Sequence, residues 1–180
     1  MKHKTASLWL VALVCFGPLA AALFIYYGPF GRSWLPQLPG SRELLATPVP
    51  LPAEWRDADE SPEPWQLIYA RMTPCEQQCV QHLGRLLQVH LALGRDQDRV
   101  RRAVWHTGAL PPLGDLALVA RPLESAAGRG MVAALGEERL REGRVYVADP
   151  RGVVILSYPP DVEQKELLRD LERLLSGTEA

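Results

Sequence analysis

The chain has 180 residues, 47% of them hydrophobic, and a net charge of −1. That length leaves room for one folded domain and an anchor. The near-zero charge excludes the basic excess of a typical nucleic-acid binder, and arginine's large excess over lysine reads as composition, not as a phosphate-binding signal.

From Ser7 to Phe30 no residue is charged. Roughly 20 apolar residues span a bilayer core as a helix, so residues 7–30 are expected to be a transmembrane anchor. Trp9 stands near one end and Tyr26, Tyr27 and Trp34 near the other, as aromatics do at membrane interfaces. Lys2 and Lys4 place residues 1–6 in the cytoplasm by the positive-inside rule, and the rest on the periplasmic side of an inner membrane. A cleaved signal peptide fits less well, because the apolar run continues past Leu19-Ala20-Ala21-Ala22. Cys15 lies inside this run as a small apolar filler. Residues 31–64 carry seven prolines and read as an extended tether, with one short helical turn at Ser41–Ala46.

The folded domain is expected over 65–180. WQLIYAR is a buried strand bounded by prolines, and TPCEQQCVQHLGRLLQVHLALG has helical apolar spacing with a stop at Gly94. RVRRAVWHTG is a second strand, LPPLGD a loop and LALVARP a third strand. LESAAGRGMVAALGEERL is a helix weakened by glycines. RVYVADPRGVVILSYP is a hairpin turning at Asp149-Pro150-Arg151-Gly152. DVEQKELLRDLERLLSG closes the chain as an amphipathic helix, with Asp161 as its expected N-cap. This order implies an α/β sandwich with a mixed sheet. A parallel pair joined through the first helix puts Pro74–Gln77 at the carboxyl end of a strand, where sites in open α/β sheets gather.

Chemistry concentrates in Arg71–His82, RMTPCEQQCVQH. If the helix has begun by Cys75, then Cys75, Cys79 and His82 share one face. One helical turn separates Cα atoms by about 6 Å, within disulfide range. The same geometry permits a reversible disulfide or a soft-metal site for Cu(I) or Zn. A plain stabilising bridge is the bland alternative, but closing so short a loop constrains the unfolded chain little. The periplasm is oxidising, so an exposed pair there needs a bridge or a keeper that reduces it. Further ligand candidates are His106 after the second strand, His82 and Met72; His82 and His90 otherwise read as solvated helix surface. No Gly-rich phosphate loop, G-x-S-x-G or H-E-x-x-H occurs, which leaves nucleotide-binding and hydrolase readings without support.

TPCEQQCVQHL, YVADPRGVVILSYP and the closing KELLRDLERLL together resemble the Sco family. The resemblance implies a membrane-anchored protein with a thioredoxin-like mixed sheet flanked by helices. It further implies a role in assembling the copper centre of cytochrome c oxidase, with an oxidase subunit or another assembly factor as partner. Cys75 and Cys79 would carry thiol-disulfide exchange or transient Cu(I); in a general oxidoreductase Cys75, nearer the helix N-terminus, would attack and Cys79 resolve. The chain departs from the family in three places. Val80 replaces the proline after the second cysteine, and Trp105-His106-Thr107-Gly108 replaces an acidic loop. GEERLREGRVYVADP holds no histidine where the family has its third copper ligand, and Gly143 or Arg141 stands about there. His106 is the replacement candidate, making a set of Cys75, Cys79 and His106. Two further readings stay open: a general periplasmic thiol-disulfide oxidoreductase, and a non-catalytic thioredoxin-like interaction module whose cysteines only form a bridge.

Overall fold

The structure is a computed structural model and describes residues 42–56, 63–112, 116 and 118–177. The expected anchor at 7–30 lies outside the described residues, and none of the described helices is long and apolar enough to cross a membrane.

Six strands form one sheet in the order β1-β6-β5-β2-β3-β4. They are β1 Glu43–Pro50, β2 Trp65–Ala70, β3 Val100–His106, β4 Val119–Pro122, β5 Arg144–Ala148 and β6 Val153–Tyr158. β2, β3 and β4 run parallel, while β5, β6 and β1 add on antiparallel. Helix α1 (Gln77–Ala92) crosses from β2 to β3, α2 (Ala126–Leu135) and α3 (Glu137–Glu142) link β4 to β5, and α4 (Gln164–Ser176) closes the chain. The expected mixed α/β sandwich is thus observed, with its parallel pair joined through the first helix.

β2 is central, and all six of its residues are buried. Side chains alternate across a pleated strand. Trp65, Leu67 and Tyr69 therefore share one core with α1 and α4, and Ile68 and Ala70 enter a second core with α2 and α3. Leu83, Leu86 and Val89 bury one stripe of α1; Leu167, Leu171 and Leu175 bury one stripe of α4. Both spacings are those of a single helical face.

The tether expected over 31–64 is corrected where it is described. Glu43–Pro50, including the segment expected to form a helical turn, is an edge strand paired with β6 in the register Glu43↔Ser157 and Val49↔Val154. Proline cannot donate to a ladder but is tolerated at a sheet edge, so Pro48 and Pro50 do not prevent pairing. Trp55 follows in a short 3₁₀ turn and is buried, its ring 5.2 Å from that of Trp105. The compact unit accordingly runs from Ser41.

Smaller corrections follow. The segment LESAAGRGMVAALGEERL, expected as one helix, breaks at Gly136 into two. The N-cap of α4 is Glu163, not Asp161, and makes no side-chain cap hydrogen bond. His90 is a clamp and not solvated surface: its Nε2 lies 2.9 Å from the Gln97 carbonyl and 2.8 Å from that of Val100. Both partners are acceptors, so Nε2 carries the proton and ties the end of α1 to the start of β3. The hairpin turn is as expected. The buried Asp149 carboxylate accepts from the Arg151 and Val153 amides at 3.0 and 2.9 Å, which is Asx-turn chemistry.

Candidate functional site

The site lies past the carboxyl end of β2. The Arg71 amide donates to the Trp105 carbonyl at 3.0 Å, and the Met72 amide to that of Leu140 at 2.9 Å. These bonds fix the loop between β3 and α3. The Arg71 guanidinium then holds the Thr73 hydroxyl, and after Pro74 the chain turns into α1.

The helix begins at Gln77, so Cys75 stands just outside it and Cys79 is in its first turn. This differs from a helix already formed at Cys75, yet the geometry still closes. The two cysteines form a disulfide with their Cα atoms 5.1 Å apart. Cys79 is 1% exposed and Cys75 8% exposed, so what little access exists is at Cys75. The N-terminus of α1 has no side-chain cap and no acidic residue in its first turn. Its partial positive charge favours thiolate on either sulfur once the bond opens, although the N-cap Glu76 carboxylate stands at the same end. Val80, next to Cys79, points outward and is partly exposed.

Tyr69 shares the buried core with both cysteines and is itself fully buried. His82, one turn after Cys79, lies over its ring with centroids 5.4 Å apart and planes 19° from parallel. His82 is thus half-buried and packed, not solvated helix surface. Burial, then the Arg85 and Arg71 charges, hold its pKa below the ordinary histidine value, against a smaller opposing pull from Asp161. The Tyr69 hydroxyl lies within hydrogen-bonding reach of the Arg71 side chain. Burial pushes its pKa up, partly offset by Arg71, so it remains protonated.

The remaining ligand candidates go elsewhere. His106 ends β3, and its Nδ1 donates to the Gly108 carbonyl at 2.8 Å. Met72 packs against the core on the opposite sheet face from the cysteines. Arg141 is 67% exposed and pairs with Glu137. Among the described residues, no three His, Cys, Asp or Glu side chains gather into a group that could hold a metal ion.

A sequence model of the family described as transmembrane-like, thioredoxin-like, C-terminal domain matches residues 65–177. The chain belongs to this family. The match covers every element from β2 to α4 and leaves β1 and the 3₁₀ turn outside it. No curated protein matches the chain. Among solved structures it is similar to one titled "Solution structures of apo Sco1 protein from Thermus Thermophilus". The two are 17% identical with a TM-score of 0.53, over 74% of this chain and 96% of that one. At that identity the likeness is one of fold, and the expected thioredoxin-like sheet is the fold observed.

Within this member of the transmembrane-like, thioredoxin-like family, the residues do not fit a three-ligand copper centre. Gly143 has φ of 78°, and a Cβ built on it would lie 2.8 Å from the Tyr69 hydroxyl oxygen. The tyrosine therefore fills the space into which a side chain from this position would project. Sequence reasoning named Gly143 but missed Tyr69. The available signal was its place in WQLIYA, on the helix-facing side of the strand and last but one before the cysteine loop.

Proposed function

We propose that this chain is a membrane-anchored thiol-disulfide exchange factor that reduces cysteines of a respiratory oxidase's copper subunit, or of another assembly factor, before metal insertion. The observation that carries the reading is the Cys75–Cys79 bond and its place. It closes a loop too short for useful stabilisation, past the carboxyl end of a central parallel strand and at an uncapped helix start. The Sco-like fold supports the assembly context. The uncharged run Ser7–Phe30 and the family's transmembrane-like description support an inner-membrane anchor, with the N-terminus in the cytoplasm and the domain in the periplasm.

In the reduced protein the Cys75 thiolate attacks a client disulfide, forming a mixed disulfide and releasing one client thiolate. Cys79, as thiolate, then attacks the Cys75 sulfur. That step expels the second client thiolate and leaves the intramolecular bond seen here. Two electrons pass from the pair to the client, and a dithiol reductant must return them. The greater exposure of Cys75 assigns it the encounter and the sealed Cys79 the resolving step. Copper enters this reading as the client's cargo. Any Cu(I) taken by the reduced pair meets two thiolates with no third ligand from His106.

A second reading, a non-catalytic interaction module, is favoured by the near-complete burial of both cysteines. Trapping separates the two. Cys79→Ser in the full chain is expected to accumulate in cells as a covalent adduct that dithiothreitol dissolves, and the double Cys75→Ser/Cys79→Ser variant is expected to form none. If no adduct forms and the double variant supports oxidase assembly normally, the exchange reading is wrong and the module reading stands.

A further inference from the structure

Several arginines of the domain are fixed by carboxylates. Arg42, Arg56, Arg139, Arg144 and Arg151 each have a carboxylate oxygen within 3.2 Å. Arg71, which leads into the cysteine loop, is fixed by neutral groups instead. Its guanidinium donates to the Thr73 hydroxyl and lies within hydrogen-bonding reach of the Tyr69 hydroxyl. Its stem passes Gly143, where a Cβ would sit 3.5 Å from the Arg71 Cδ. The half-buried guanidinium is thus oriented before any partner arrives, and among the described residues it pairs with no carboxylate. A second cation stands nearby. Arg85 projects from the exposed side of α1, also with no carboxylate partner among the described residues, and both charges act on His82. No acidic residue occurs in α1 from Gln77 to Ala92. The acids at this end are the N-cap Glu76 and Asp161, and the pull of Asp161 on His82 is weaker than that of either arginine. Thr73, which holds the guanidinium, is two residues before Cys75, a span of at most about 7 Å along the chain.

We propose that the cysteine rim selects an acidic protein segment: the Arg71 guanidinium, with Arg85 beside it, binds an Asp or Glu carboxylate close in sequence to the client cysteine that Cys75 attacks. Charge complementarity names this occupant. A planar guanidinium already oriented by hydroxyls keeps N–H donors for a carboxylate, and less freedom is lost when one binds. The spacing agrees. An extended peptide spans about 7 Å in two residues, so an acid two or three positions from the client cysteine can reach Arg71 while that cysteine meets Cys75. Arg71 makes no contact with the reacting sulfurs in this account; it sets specificity. A charge at the edge of an interface acts mainly on the rate of encounter and is screened by salt. The inference rests on the exchange reading and names the chemistry of its client.

The test uses the reduced full chain carrying Cys15→Ser and short peptides with blocked termini. Each peptide is a symmetric disulfide with one cysteine per strand and, two residues from it, Glu, Gln or Lys. The reduced pair passes two electrons to the peptide disulfide, closing Cys75–Cys79 and releasing two peptide thiols, which chromatography counts. Rates are normalised to those with dithiothreitol, which is uncharged, to remove the peptides' own differences. The Glu peptide is expected to react about fivefold to tenfold faster than the Gln peptide, and the Lys peptide slower than both, with the spread collapsing at about 0.5 M salt. Arg71→Gln is expected to abolish most of the Glu preference, and Arg71→Lys to restore part of it as a point charge. Each preference is a ratio within one variant, so a general loss of stability or reactivity does not move it. Arg151→Gln, in the hairpin at the other end of the sheet, is the control and is expected to keep the native ratio. Equal normalised rates for the Glu and Gln peptides, or a Glu preference unchanged by Arg71→Gln, overturn the proposal and leave the exchange reading standing. No exchange with any of the peptides overturns the exchange reading and this inference with it.

Discussion

Replacing Gly143 by alanine tests the packing that closes the site. Two effects add at this position. Gly143 sits at φ 78°, a backbone region that places an L-residue's Cβ badly, at about 1–2 kcal/mol. The new methyl also meets the Tyr69 hydroxyl at 2.8 Å and the ring carbon bearing it at 3.4 Å. Tyr69 is fully buried under His82 and has no open side to retreat to. Overpacking of this kind costs about 1–3 kcal/mol. The sum, about 2–5 kcal/mol, is a large share of a small domain's stability. Urea unfolding of the oxidised protein reads it as a lower midpoint at unchanged slope. The decisive comparison is the double-mutant cycle with Tyr69→Phe. Removing the hydroxyl removes the 2.8 Å contact and leaves the φ term, so Gly143→Ala is expected to be milder in that background by about 1 kcal/mol or more. Loss of less than about 0.5 kcal/mol for Gly143→Ala, or strict additivity in the cycle, refutes the claim that Tyr69 occupies this space.

The other perturbations are simpler. Trp55→Ala empties a buried site against Trp105 and is expected to destabilise by about 3–5 kcal/mol in the same unfolding assay; a near-neutral result would restore the tether reading of that segment. His82 has a folded pKa below its unfolded value, so below the unfolded value the unfolded chain binds more protons than the native one. Its contribution therefore declines as pH falls from about 6.5 towards the folded pKa. Melting curves across that window are expected to lose this component in His82→Phe, which keeps a ring on Tyr69; an unchanged pH profile would show that His82 does not titrate as described.

Strong local patterns made most of the fold legible. The helical spacing of Leu83, Leu86 and Val89 and the short apolar run of WQLIYA each agree with what the sheet and its helices require. The Asp149-Pro150-Arg151-Gly152 turn could be read because Asx chemistry is local. β1 could not. Its prolines suggest a solvated tether, and only the position at the sheet edge, a tertiary fact, makes them compatible with a strand. The cysteine pair was legible from spacing. Its surroundings were not, because Tyr69, His82 and Gly143 come from three separate elements and meet only through packing. His106 looked eligible as a ligand because it follows a strand next to the cysteine loop, and a bond to Gly108 two residues on claims one of its ring nitrogens.

The central claim is that Cys75–Cys79 is an exchange-active pair, and its reduction potential is the most direct test. The pair would be equilibrated with glutathione buffers of known ratio in a Cys15→Ser chain and scored by thiol alkylation. The account expects a midpoint within the range of exchange proteins, from about −120 to −270 mV. A midpoint well below about −300 mV, with the bond closed at every accessible ratio, would make it a structural bridge and contradict the account.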